Sequence, residues 1–130
     1  MAVVSGTVHT VNTMEGYGGS VSSLQIAQIL FTVSGTYAQA DNGILSGVGT
    51  LIQNSRRNGK TVTPIDAMCG HAATKASDPS AILGLKTVAV STNDVTFEIT
   101  DGDFSTEFAD ATAVPAQARP FAILVSFTEA

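Results

Sequence analysis

Apolar and polar residues alternate with a period near two over most of this chain, the pattern of strands that bury one face. In residues 4–11, Val4, Gly6, Val8 and Thr10 interleave with Ser5, Thr7, His9 and Val11. The Val and Thr content favours a strand there. Residues 24–37 place Ile29, Phe31, Val33, Gly35 and Tyr37 on one parity, with Ser34-Gly35 a candidate bulge. Between these two segments, Glu15-Gly16-Tyr17-Gly18-Gly19-Ser20 reads as a flexible loop because of its glycines.

The period then changes. Ile44, Leu45, Val48, Leu51, Ile52 and Ser55 fall on one face of a helix, which predicts one α-helix near residues 42–57. Asp41 stands where it can cap the free N–H groups, and Asn58-Gly59 suits a left-handed C-terminus. Gly43, Gly47 and Gly49 weaken a helix by about 1 kcal/mol each, so such a helix must pack closely on a sheet.

After Lys60 the β pattern returns. Residues 61–68 read as a strand with Pro64 at an edge or irregular point, and residues 69–80 as a long loop. Residues 86–91 and 95–100 form a hairpin around Ser91-Thr92-Asn93-Asp94. Phe104 and Phe108 suggest a helical turn over 103–109, Pro115 and Pro120 bracket a loop, and Phe121, Ile123, Val125 and Phe127 mark a final strand. Six strands and one helix predict a single mainly β domain over 1–130, a β-sandwich or barrel-like body with one helix laid against it. The segment 29–68 reads as strand, helix, strand and has room for one parallel crossover.

Composition adds one unusual figure. Hydrophobic residues make up 44 % of the chain, an ordinary share, but charged residues only 13 %, about half the usual ~25 %. Charge normally suppresses association, so a surface poor in it expects protein neighbours. Six basic residues against eleven acidic ones leave a net charge of −5, which disfavours nucleic acid as a partner. The charges are also clustered. Asp94, Glu98, Asp101, Asp103, Glu107 and Asp110 share a stretch without Lys or Arg, and Arg56-Arg57-Asn58-Gly59-Lys60 holds half of the basic residues. Arg56, Arg57, Lys60, Asp101 and Asp103 are therefore the candidate protein-interface residues, the basic set of one copy meeting the acidic set of another or of a different protein.

Catalytic chemistry finds little support. Cys69-Gly70-His71 pairs a thiol with an imidazole, but His9 is the only other histidine, and a zinc site needs three or four ligands. Asp101-Gly102-Asp103 is followed by Ser105 and Glu107 but lacks the sixth-position glycine of an EF-hand loop, which leaves a surface turn with weak calcium binding as the alternative. No Gly-x-Ser-x-Gly elbow or phosphate-binding Gly-Lys-Ser/Thr occurs. No catalytic residue, metal or cofactor is expected. The single cysteine excludes an internal disulfide and fits a reducing cytoplasm. The start of the chain lacks the pattern of a secretory signal, and the longest apolar runs are far too short for a spanning helix. No membrane association is expected.

The stretch Phe31-Thr32-Val33-Ser34-Gly35-Thr36-Tyr37, then Asp41, then Arg56-Arg57-Asn58-Gly59-Lys60-Thr61-Val62-Thr63 resembles small structural proteins of tailed bacteriophages. It is most similar to the head decoration, or cement, proteins. That resemblance implies a non-enzymatic virion protein on the capsid exterior, made in the host cytoplasm. It would bridge subunits of the major capsid protein, as a homo-oligomer and by preference a trimer. Broad β surfaces and strand pairing at an exposed sheet edge are the expected modes of contact. Three other readings stand beside it. One is a head-completion or tail-tube protein. Another is a small ligand-binding module with a pocket under the 41–57 helix. The third is an enzyme using Cys69, His71, Asp101 and Asp103.

Overall fold

The computed structural model describes residues 4–14 and 25–130; the glycine-rich segment 15–20 lies outside the described residues. The long strands are β1 (Val4–Met14), β2 (Gln25–Ser34), β5 (Val62–His71), β7 (Ile82–Ser91), β8 (Asp94–Thr100) and β11 (Phe121–Glu129). They are the six that the alternation predicts. Five shorter pieces join them: β3 (Thr36–Tyr37), β4 (Gly43–Leu45), β6 (Ala73–Lys75), β9 (Thr112–Ala113) and β10 (Gln117–Arg119). The one helix, α1, spans Val48–Arg56.

Nine strands form one sheet in the order β10-β6-β7-β8-β4-β1-β2-β11-β5, and β3 pairs with β9 separately. All neighbours in the large sheet are antiparallel except β1 and β4, where Val4 faces Gly43 and Ser5 faces Ile44 in parallel register. Both β2 and β5 pair antiparallel with β11, so the β2–α1–β5 connection returns the chain in the same direction with β11 between. The sheet curls into a half-barrel that brings β5 against β7, and α1 closes the concave side against β1, β5 and β8.

The core fills that concavity. Phe31 stands at its centre with its ring 5.5 Å from those of both Phe97 and Phe121. Ile29, Leu45, Ile52, Leu83, Ile99, Ile123 and Phe127 are fully buried around it. Each such side chain contributes roughly 1.5–3 kcal/mol on burial.

Several local expectations need correction. The helix begins at Val48, because Gly43, Ile44 and Leu45 form a short strand instead. Gly43 lies directly beneath the Phe97 ring, where no Cβ fits. That close approach fixes the segment as a strand beside β8. Asp41 belongs to a turn closed by its own N–H to the Ala38 carbonyl. The helix cap is Gly47, left-handed at φ 66°, whose N–H donates to Asp94 Oδ1 at 2.8 Å. At the other end the left-handed cap is Arg57, one residue before Asn58-Gly59.

The expected loop over 69–80 is mostly extended, since Cys69–His71 continues β5 and 73–75 pair with β7. Residues 103–109 contain no helix: Phe104 is left-handed at φ 59°, and Glu107 bridges back to Thr100. Between Pro115 and Pro120 the chain pairs with β6 through Gln117 and Arg119. Ser34-Gly35 ends β2 rather than bulging within it, with Gly35 at φ 116°.

Candidate functional site

The predicted interface residues separate into different environments. Arg56 is drawn inward, where its Nε donates to Glu129 Oε2 at 3.2 Å and its Nη2 to Glu129 Oε1 at 2.9 Å. Asn58 Nδ2 and Gln25 Nε2 also donate to that carboxylate, at 2.8 and 2.6 Å. The Arg56 bonds above all, opposed by partial desolvation, hold the Glu129 carboxyl down to about 2. Arg56 thus ties the helix end to the last strand. Arg57 and Lys60 are exposed beside it, and an open groove lined by Gln53, Asn54, Arg57 and Gly59 runs along this corner. This groove lies at the end of the helix. The inner face of the helix is closed by buried Val48, Gly49 and Ile52.

The acidic residues are likewise divided. Asp94 anchors the helix start, and Glu98 lies 3.7 Å from Lys86 Nζ. Glu107 accepts the buried Tyr37 hydroxyl at 2.7 Å, and Asp110 accepts the Gln39 N–H at 2.9 Å. Asp103 organises its own turn. Its Oδ1 accepts from the N–H groups of Ser105 and Thr106, its Oδ2 accepts from the Thr106 hydroxyl, and these bonds hold it at about 2. Asp101 is exposed at the start of the same turn.

Strand registers place the two clusters at opposite ends of the sheet. The basic corner precedes β5, whose first residue Val62 faces Glu129 at the end of β11. The acidic turn follows Thr100 at the end of β8. Phe97 of β8 faces Gly43, Gly43 faces Val4, Ser5 faces Ser34, and Phe31 faces Phe121 at the start of β11. The basic corner and the acidic turn therefore lie toward opposite ends of the strands.

A third surface escaped sequence reasoning. On the convex face, Ile26 faces Ser126, which faces Asp66, and Gln28 faces Leu124, which faces Met68. Met68 is 61 % exposed, Ile65 50 % and Ile26 39 %. Ile26, Asp66, Ala67, Met68, Leu124 and Ser126 line a shallow depression of about 100 Å³. Within β1, β2, β5 and β11 the only Asp, Glu, Lys or Arg residues are Asp66 and Glu129. The Glu129 side chain is only 4 % exposed. The signal was present as apolar residues on both parities of 24–34 and 121–127, which are too apolar for a half-wetted strand.

The edge of this half-sheet is interrupted. Along β5, Ile65 is an extra residue opposite the Ser126–Phe127 step, and Gly70 is extra opposite Ala122–Ile123. Pro64 has no N–H to offer a further strand. These are features that discourage pairing at an edge, so the expected strand-to-strand contact does not suit β5.

The Gly70 bulge also separates the one thiol–imidazole pair. Cys69 faces Ile123 and packs on the core, while His71 faces the adjacent Ala122 and lies on the opposite side of the sheet. Burial raises the Cys69 thiol above its ordinary range, with the Leu85 main chain opposing. Among the described residues no group of three or more His, Cys, Asp or Glu side chains is placed to hold a metal ion, and no helix is long and apolar enough to cross a membrane. No family model matches the chain, and no characterised protein or solved structure shows detectable similarity to it.

Proposed function

We propose that this chain is a non-enzymatic structural protein of a tailed-phage virion that decorates the capsid and stabilises it by bridging capsid subunits. The observation that carries this reading is the segregation of charge. A bridging protein needs distinct surfaces for distinct neighbours. This one has a positive corner at Arg57 and Lys60, an acidic turn at 101–110 toward the opposite end of the strands, and a nearly charge-free half-sheet. The resemblance of residues 31–37 and 56–63 to decoration proteins points the same way.

The mechanism is linkage. A protein that binds the assembled lattice and not its dissociated subunits stabilises the lattice by RT ln(1 + [L]/Kd) per site. Charged ends would orient the docking and make it salt-sensitive. The separation of Cys69 from His71 favours this reading over the enzyme, and the packed inner face of α1 favours it over a module with a pocket beneath the helix.

The test is sedimentation of the purified chain with capsids assembled without it. Saturable co-sedimentation that weakens between 50 and 500 mM salt is the expected result. A chain that stays in the supernatant at every salt concentration overturns the proposal.

A further inference from the structure

We infer that the convex face of β1, β2, β11 and β5 is the surface on which a second copy of this chain packs, face against face. The inference rests on the bridging role above and assigns one of its surfaces. Three observations carry it.

The first is electrostatic. Each copy has a net charge of −5, so two copies approach at least cost where charge is absent. Across the four strands Asp66 is the only charged side chain left to solvent, because Glu129 is enclosed by Arg56, Asn58 and Gln25. The face presents no charge pattern by which a partner of different sequence would be steered and oriented. Its chemistry is apolar and uncharged-polar: Ile26, Leu30, Leu124 and Met68 run through Thr10, Gln28, Thr32 and Ser126.

The second is geometric. Pro64 and the bulges at Ile65 and Gly70 spoil β5 as a pairing edge. Beside β5 a neighbour is therefore met by the exposed side chains of the face and not by continuation of the hydrogen-bond ladder.

The third is area. Four strands spaced ~4.8 Å apart and about nine residues long present on the order of 600 Å² per copy. The pair would bury about 1,200 Å², the lower end of specific interfaces. That area is enough for a specific contact, and avidity strengthens it when copies are held side by side on a lattice.

The experiment is sedimentation velocity and light scattering of the intact chain from 1 to 300 µM, for the wild type, Met68→Glu and Ile26→Glu. Both positions are exposed, so circular dichroism should remain native. The expected result is a concentration-dependent wild-type oligomer and a dissociation constant at least tenfold weaker in each variant. A wild type monomeric throughout overturns the inference, as does an oligomer that neither substitution weakens. If one variant loses native dichroism, the other decides. Lattice binding fails separately: a monomeric wild type that still co-sediments with capsids refutes this interface and leaves the proposed function standing. An oligomer that never co-sediments does the reverse.

Discussion

Arg56 and Glu129 form a two-bonded ion pair, at 2.9 and 3.2 Å, that fastens the end of the helix to the end of the last strand. With side chains 14 % and 4 % exposed, the pair is shielded from solvent and from salt. It carries a definite pH dependence. The Glu129 carboxyl is lowered to about 2 in the folded chain from 4.5. Its stabilisation is therefore complete above the unfolded value and disappears as pH falls from roughly 4.5 towards 2. Glu129→Gln should lower stability at pH 7 by on the order of 2–3 kcal/mol and flatten the acid limb of the melting curve. Thermal melts of both proteins between pH 7 and 2.5 check this. Asp103 titrates in the same window, so part of the wild-type acid loss survives in the variant.

Tyr37 occupies a comparable position at the other end of the molecule. Its fully buried ring meets Phe108 edge-on at 6.0 Å. Its hydroxyl donates to Glu107 and accepts the Ile99 N–H at 3.2 Å. Burial first, and the Glu107 bond next, push its phenol above the ordinary range. Tyr37→Phe leaves a buried N–H and a carboxylate without their partner, a loss of about 1–3 kcal/mol. Hydrogen exchange should accelerate selectively at Ile99 and through residues 101–110, with β2 and β11 unchanged.

Gly43 has no room for a side chain under the Phe97 ring. Gly43→Ala should cost about 1–3 kcal/mol as the ring is displaced. Denaturant unfolding measures it. Gly59 is the control: it has φ 74°, and a Cβ at that position would meet nothing within 4 Å. Alanine there should cost less, through backbone conformation alone.

These sites explain how far the sequence could be read. All six long strands were legible because alternation is a local signal, visible without knowing the partner strand. The start of the helix was not, because Ile44 and Leu45 satisfy a helical and an extended pattern equally. The choice was made by the contact of Gly43 with Phe97, more than fifty residues away. Gln117 tells the same story. Its side-chain amide pairs with both the N–H and the carbonyl of Val33, at 2.7 and 3.1 Å, in the manner of a neighbouring strand.

The interface residues were legible as charge clusters but not as contacts. Arg56 was indistinguishable from Arg57 and Lys60 in sequence, since only the fold brings Glu129 to it. The convex face was hidden for the opposite reason: parity identifies which side of a strand faces inward only when the other side is polar, and the first half of β11, Phe121 to Val125, is apolar on both.

Stabilisation of an assembled shell is read from the temperature at which it opens. Capsids assembled without this chain are heated in the presence of increasing concentrations of it, and the opening temperature is followed by release of an encapsidated dye. The expected opening temperature rises with the logarithm of free protein beyond its Kd, and the rise is at least tenfold less sensitive for Arg57→Glu/Lys60→Glu at low salt. An opening temperature independent of the protein at concentrations up to 100 µM would contradict the claim.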